Sequence, residues 1–260
     1  MDTTTRQAYL ARIGAEHPAA PTAAALADLQ RRHLRTVPFE NLGIHLPGTL
    51  TLDPAALAEK IITHRRGGFC FELNGLFAEL LRGVGFQVTL AGARVFHNAG
   101  LGPPQDHLAL LVTDEDGVVW LSDVGFGRFA LSPLRWTARE PQQDATGTFR
   151  LVDTPDGEVE VWHGETGAYR VDPRPLALSD FEPMCWWHQS SPKSHFTRNL
   201  TCSLPVGDGA DRVTLSGHTL IRTEGGARTE QRIERSELLA AYRKWFGIEL
   251  DQLPTQPAAG

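Results

Sequence analysis

Arg66-Gly67-Gly68-Phe69-Cys70-Phe71-Glu72-Leu73-Asn74-Gly75 sets a single cysteine where a helix is about to begin. Behind Cys70 the apolar positions Leu73, Leu76, Phe77, Leu80 and Leu81 recur at helical spacing, and Gly83 supplies a stop. Gly67 and Gly68 permit a tight, left-handed-tolerant approach that a side chain would resist. The thiol is therefore expected over the unpaired amides of the first turn, at the positive end of the helix dipole. Such a position, with an imidazolium nearby, can lower a thiol pKa from about 8.5 to roughly 3.5–7.5. The competing reading is a small apolar side chain in a core, since free cysteines are commonly buried. The helix start alone leaves both readings open.

Downstream residues weigh on the first. Asp106-His107-Leu108-Ala109-Leu110-Leu111-Val112 reads as a strand and Val118-Val119-Trp120-Leu121-Ser122-Asp123 as its return partner, joined through Thr113-Asp114-Glu115-Asp116-Gly117. A thiolate enzyme needs an imidazole to move protons and a carboxylate to hold that imidazole's tautomer. A three-residue loop at 114–116 followed by Gly117 would set His107 directly opposite Asp123, whereas a slip of one residue would separate them onto opposite faces. Each residue has a plainer reading. The chain has ten histidines, with His64 and His97 as near to Cys70 as His107 is, and Asp123 could simply close a turn.

Outward from these blocks, punctuation gives the organisation. Thr22 caps a helix with Leu26, Leu29 and Leu34 inward that ends before Pro38, and Asp53-Pro54 opens another through Leu57, Ile61 and Ile62. Residues 1–86 thus read as mostly helical. From Gln87 the pattern becomes β-rich, with runs at Val88–Phe96, Phe149–Val152, Val159–Trp162 and Tyr169–Val171 and a turn at Thr154-Pro155-Asp156-Gly157. Ser179-Asp180-Phe181-Glu182 has capping-box form and opens a helical crossing that stops near Pro192. Val213–Arg222 and Arg228–Ile233 flank Gly225-Gly226 as a hairpin, and a last helix carries Leu238, Leu239, Tyr242, Trp245 and Phe246 up to Gly247. Helices, then strands, then a mixed segment is an α+β order without a repeated βαβ unit.

A chain of 260 residues buries a sizeable core. Its net charge of −6, without a Lys/Arg-rich stripe, argues against nucleic acid as a partner. Three cysteines make no disulfide framework and fit a reducing compartment. No signal-like segment opens the chain and no apolar run approaches 18 residues, so a cytoplasmic location away from membranes is expected. No CxxC or HxxxH spacing suggests a metal. Gly125-Phe126-Gly127 lacks the third glycine of a dinucleotide fingerprint. Trp186-Trp187-His188 is expected to serve packing, because adjacent helical residues face different ways.

Five blocks in order, Val37-Pro38-Phe39-Glu40-Asn41-Leu42, the Arg66–Asn74 stretch, Ala93-Arg94-Val95, Asp123-Val124-Gly125-Phe126-Gly127 and Ser191-Pro192-Lys193-Ser194-His195-Phe196-Thr197, resemble those of the arylamine N-acetyltransferases. The resemblance runs from about residue 33 to 205 and is most specific at the cysteine block. It implies a helical bundle over 1–86 carrying the nucleophile and a β-barrel over 87–178 carrying His107 and Asp123. An interdomain helical crossing over 179–205 and an α/β lid over 206–260 would follow. It also implies an enzyme with a Cys70-His107-Asp123 triad, acetyl-CoA as cosubstrate, an aromatic amine as acceptor and an acetyl-cysteine intermediate. Phe39, Val95 and Phe126 match positions lining the aromatic pocket. Gly125, Gly127 and Arg128 stand where coenzyme A is approached, although the family commonly has a further glycine in place of Arg128. The tail after Leu253 would add little to the lid. An amide synthase using a carrier-protein thioester, a cysteine hydrolase and a non-catalytic binding module are the other classes compatible with these residues. The acceptor's identity and the oligomeric state are not encoded in any motif.

Overall fold

The computed structural model describes residues 1–98, 100–207 and 209–255; the end of the tail, 256–260, lies outside the described residues. The N-terminal part is built from short capped helices. In α1 (Thr3–Arg12) the Asp2 carboxylate accepts from the Thr5 amide at 2.9 Å. In α2 (Ala23–Thr36) the Thr22 hydroxyl accepts from the Ala25 amide at 3.0 Å, as its N-cap position predicts. Strand β1 (Phe39–Glu40) follows Pro38. Asp53 caps α3 (Pro54–Ala58), which widens into a π-helical turn over Glu59–Thr63 instead of continuing as α-helix through Ile62. Helix α4 (Cys70–Gly83) ends where Gly83 predicts, and Gly85, at φ +101°, turns the chain into the strands. Nearly all of α4 is buried, so its apolar side chains, each contributing about 1.5–3 kcal/mol on full burial, anchor it in the core.

The strands that follow are β2 (Gln87–His97), β3 (Gly100–Leu101), β4 (His107–Thr113), β5 (Val119–Ser122), β6 (Leu134–Arg135), β7 (Gln142–Asp144), β8 (Gly147–Asp153), β9 (Val159–His163) and β10 (Thr166–Leu176). They pair antiparallel in the order β6-β5-β4-β2-β10-β9-β8-β7, with β3 beside the end of β2. Gln142 bridges the two outer strands, since its Nε2 donates to the Arg135 carbonyl at 3.1 Å and its Oε1 accepts from the Arg135 amide at 2.7 Å. The sheet thereby curls into a nearly closed barrel, leaving little open edge.

The hairpin register departs from expectation by two residues. Leu110 pairs with Ser122, Leu111 with Leu121 and Thr113 with Val119, so His107 is opposite Ala93 of β2 and not directly opposite Asp123. The loop has three residues, but they are Glu115-Asp116-Gly117, with Gly117 at φ +78°. Asp114 moves it: its amide bonds the Val118 carbonyl at 3.0 Å, and its carboxylate accepts from the Asp116 and Val118 amides and from Trp120 Nε1. A two-residue shift preserves the face of every side chain. His107, Ala109, Leu111 and Leu121 therefore share the barrel-interior side, while Leu108, Leu110 and Val112 pack against the helices.

After a 3-10 turn at Leu178–Phe181 come α5 (Glu182–Ser190) and α6 (His195–Arg198). The turn opens earlier than Ser179, because Asp180 reaches back to the Ala177 amide at 2.8 Å. Strands β11 (Thr201–Pro205), β12 (Arg212–Ser216), β13 (Thr219–Glu224) and β14 (Ala227–Arg232) form a second antiparallel sheet in the order β1-β11-β12-β13-β14. The expected single strand Val213–Arg222 is thus two strands, broken at Gly217 with φ +55°. Helix α7 (Leu238–Phe246) covers one face of this sheet through Leu238, Tyr242 and Phe246, and Gly247 ends it at φ +66°. The architecture is α+β.

Candidate active site

Close backbone approach builds the loop before Cys70. A Cβ on Gly67 would lie 1.9 Å from the Pro38 carbonyl oxygen, and one on Gly68 would lie 2.8 Å from the Glu72 carboxylate. Neither glycine has positive φ; the left-handed residue here is Arg65, at +52°. These glycines are required for contact, not for handedness. Beneath the loop Arg66 grips the fully buried Glu40 at 2.7 Å, and Lys60 pairs with buried Glu72 at 2.6 Å. Burial acts to raise the Glu40 pKa, but the Arg66 and Lys60 charges outweigh it and hold Glu40 below the usual range. Glu72 Oε2 accepts from the Phe69 amide at 3.2 Å, fixing the entry into α4.

Asn74, one turn beyond Cys70, joins this helix to the barrel. Its Nδ2 donates to Asp123 Oδ1 at 2.8 Å and to the Leu108 carbonyl at 2.6 Å, while its Oδ1 accepts from the Val124 amide at 2.9 Å. Asp123 is fully buried; Oδ1 also accepts from the Gly125 amide at 2.8 Å, and Oδ2 meets His107 Nε2 at 2.7 Å. Burial opposes its ionisation, yet the His107, Asn74 and Gly125 contacts together hold its pKa below the usual range. The His107 ring is held by Phe126 and Tyr169, with centroids 5.2 and 5.0 Å away. With a carboxylate on Nε2, the neutral imidazole carries its proton there and presents Nδ1 as the base.

Cys70 and His107 both line a cavity of about 810 Å³, and Phe39, Val95, Phe126 and Gly125 line it too. Gly125 packs so closely on α4 that a Cβ there would lie 2.7 Å from the Cys70 Cα. Gly127, at φ +85°, lies against the Phe39 ring, and Arg128 is exposed beyond it. Neither Gly127 nor Arg128 lines the cavity. Cys185 and Cys202 are buried elsewhere, and no cysteine is in a disulfide among the described residues.

The thiol electrostatics reverse the helix-start expectation. Burial pushes the Cys70 thiol well above its ordinary value, with the Asp106 and Asp123 charges pushing the same way and only the Leu108 amide opposing them. Burial holds Cys185 up to about 12 and raises Cys202 strongly as well. Burial, which sequence cannot display, thus raises a thiol that the helix start alone would be expected to lower.

The cavity contains residues not anticipated as site residues. Asp106 accepts from His97 at 3.2 Å and pairs with His188 at 3.1 Å, and His188 meets the Ser194 hydroxyl at 3.1 Å. Trp187 and His188 line the cavity with Phe196 and Thr201, so the Trp186-Trp187-His188 run does more than pack. Trp186 alone is exposed, at 60%. The legible signal for Asn74 was its four-residue spacing from Cys70; none marked His188, which meets Asp106 across 82 residues. Among the described residues no cluster of His, Cys, Asp and Glu could hold a metal, and no helix is long and apolar enough to cross a membrane.

A family profile described as N-acetyltransferase matches residues 22–254. The arylamine N-acetyltransferase / N-hydroxyarylamine O-acetyltransferase of Salmonella typhimurium is 38% identical over 234 residues, covering 86% of this chain and 81% of that protein. The solved arylamine N-acetyltransferase structure from Salmonella typhimurium superposes with a TM-score of 0.88 at 34% identity, covering 97% of this chain and 94% of that one. The Mycobacterium marinum arylamine N-acetyltransferase in complex with CoA gives a TM-score of 0.85 at 29% identity, covering 93% and 92% of the two chains. With a buried cysteine, an imidazole–carboxylate pair and an aromatic-walled cavity on the same scaffold, this chain is an acyltransferase that belongs to the arylamine N-acetyltransferase family.

Proposed function

We propose that this enzyme transfers the acetyl group of acetyl-CoA to the nitrogen of arylamines, and of arylhydrazines, through an acetyl-Cys70 intermediate. The observation that carries the reading is the opening of Cys70 and of His107, itself bonded to Asp123, onto one cavity walled by Phe39, Val95 and Phe126. An isolated thiolate is costly at this buried position, whereas transfer of the Cys70 proton to His107 creates no net charge. The imidazolium would then stand between the thiolate and the Asp123 carboxylate.

The thiolate attacks the thioester carbonyl, and the first amides of α4, without intrahelical acceptors, suit the developing oxyanion. Coenzyme A departs as His107 returns the proton to its sulfur. An arylamine, unprotonated at neutral pH because its lone pair is shared with the ring, attacks the acetyl group while His107 takes its proton. Free Cys70 is restored. Burial of Cys70, only 3% exposed, limits water's access to the intermediate. Phe39, Val95 and Phe126 supply the aromatic-ring pocket in this reading. Gly125, Gly127 and Arg128 border the coenzyme A approach.

Initial rates measured by varying acetyl-CoA at several fixed concentrations of an arylamine should give the parallel double-reciprocal lines of a ping-pong mechanism. Intersecting lines would refute the acetyl-enzyme route.

A further inference from the structure

The C-terminal sheet has two unlike faces. Val213 and Leu215 of β12 and Cys202 of β11 turn into the core beneath α7. Their neighbours Ser203, Arg212 and Thr214 therefore take the opposite face, because alternate strand residues point to opposite sides. Ser203 pairs across the ladder with both Phe39 and Thr214. Phe39 and Thr201 line the cavity that holds Cys70, so this polar face continues from the cavity rim.

Arg212 is the anomaly on that face. It is only 8% exposed, yet no carboxylate among the described residues lies within ion-pair distance. Its Nη1 donates to Ser203 Oγ at 2.8 Å, and Ser203 Oγ lies 2.7 Å from Thr214 Oγ1. Among the described residues Arg66–Glu40 and Lys60–Glu72 are matched pairs, and Arg12, buried without an acid, donates to the Ile61 and Arg65 carbonyls, whereas Arg212 has a single hydroxyl. A buried guanidinium without an acid is costly and is best satisfied by an external anion. Arg128 adds to the imbalance. Burial, then the nearby Arg128 charge, pushes the Arg212 pKa down to about 10. The two cations thus lie close enough to repel, with Arg128 following Gly127 against the Phe39 ring.

We propose that Arg212 and Arg128, with the hydroxyls of Ser203 and Thr214, form a phosphate-binding site at the cavity rim that holds the phosphates of the thioester donor. The proposal rests on the thioester reading above and deepens it. A planar guanidinium suits a phosphate with two parallel hydrogen bonds, and a dianion would relieve both the burial and the repulsion. Two sources share this chemistry: free coenzyme A, with a pyrophosphate and a 3′-phosphate, and carrier-borne phosphopantetheine, with a single phosphodiester.

The test is calorimetric binding of coenzyme A, dephospho-coenzyme A, 4′-phosphopantetheine and pantetheine to the full chain. The comparison includes Arg212→Gln, Arg212→Lys and Arg128→Gly. Coenzyme A should bind wild type about 10- to 100-fold more tightly than pantetheine, the advantage of charge-assisted bonds to phosphate, and salt should erode the difference. Arg212→Gln should collapse that ratio, Arg212→Lys should retain part of it, and Arg128→Gly should reduce it with a shallower salt dependence. Removing an unmatched buried charge should also raise the melting temperature of ligand-free Arg212→Gln; if that variant fails to fold, Arg212→Lys and Arg128→Gly carry the test. Phosphopantetheine matching coenzyme A would place the arm's own phosphate in the site, as a carrier-borne donor requires; tight binding by coenzyme A alone would assign it to the free nucleotide. An unchanged ratio in the variants, or equal binding of coenzyme A and pantetheine by wild type, would overturn the site. Acetyl-pantetheine separates the two levels. Acetylation of wild-type Cys70 by it, without any coenzyme A advantage, removes only the phosphate site, whereas failure of both thioesters removes the donor reading itself.

Discussion

Replacing Asp123 by asparagine isolates what the carboxylate does for the imidazole. Asp123 accepts on both oxygens: Oδ1 from Asn74 Nδ2 and the Gly125 amide, each at 2.8 Å, and Oδ2 from His107 Nε2 at 2.7 Å. An asparagine can place its oxygen on only one side. With the oxygen toward Asn74 and Gly125, two hydrogen bonds survive and the new amide donates to His107 Nε2, moving the imidazole proton to Nδ1. With the amide turned the other way, two donor–donor contacts arise in a fully buried place, each costing about 1–3 kcal/mol. The first orientation is therefore favoured by about 2–6 kcal/mol. It leaves His107 unable to accept the thiol proton and removes the charge that steadies the imidazolium.

Reaching the productive tautomer against that gap corresponds to a loss of about 30- to 3 × 10⁴-fold in rate. The assay is rapid-quench acetylation of Cys70 in a single turnover, read by thiol release from the donor. The residual rate should climb toward alkaline pH, because a thiol held high by burial must then ionise without help. The melting temperature should change by only a few degrees, since most of the hydrogen bonds persist. Folded Asp123→Asn protein with near-normal turnover would refute this reasoning and leave Asp123 a turn-closing residue.

Two further predictions concern the scaffold under the nucleophile. Gly67→Ala drives a Cβ to within 1.9 Å of the Pro38 carbonyl, a backbone atom that cannot swing away, so a loss of at least ~2 kcal/mol is expected in denaturant unfolding. An unchanged midpoint would show that the loop can open there without cost. Glu40→Gln strips the acid from Arg66, whose side chain is 14% exposed, and leaves Lys60 only Glu72, so about 2–4 kcal/mol should be lost, slightly below a fully buried pair. Because the folded pKa of Glu40 lies below its ordinary 4.5, its contribution is present above that value and disappears as pH falls through the lowered pKa. Wild type should therefore lose stability on acidification below about pH 4.5 more steeply than the variant, and equal slopes would contradict the pairing.

Local features were legible in the sequence wherever one stretch of chain decides its own geometry. Thr22, Asp53-Pro54 and Gly247 mark helix ends by capping chemistry, and the 3.6-residue spacing behind Cys70 marks α4. The hairpin's facing was legible from parity, but its register was not. Asp114 bonds its own turn through backbone and side chain and moves the ladder by two positions. Least legible were contacts between distant segments. Two-residue β1 becomes a strand only because β11, more than 160 positions on, pairs with it. The Asp106–His188 pair and the acid-free burial of Arg212 likewise exist only after the parts assemble. The thiol's raised pKa belongs to the same class, because burial is a property of the whole fold.

In the proposed route Cys70 carries the acetyl group between the two substrates. Intact-mass and peptide-mapping mass spectrometry of the protein mixed with acetyl-CoA, before and after addition of an arylamine, tests it most directly. One acetyl group should appear on Cys70, leave on addition of the amine and reappear as the N-acetylated product, while Cys185 and Cys202 stay unmodified. Acetylation confined to Cys185 or Cys202, or full transfer activity in Cys70→Ala without any acetyl-enzyme, would contradict it.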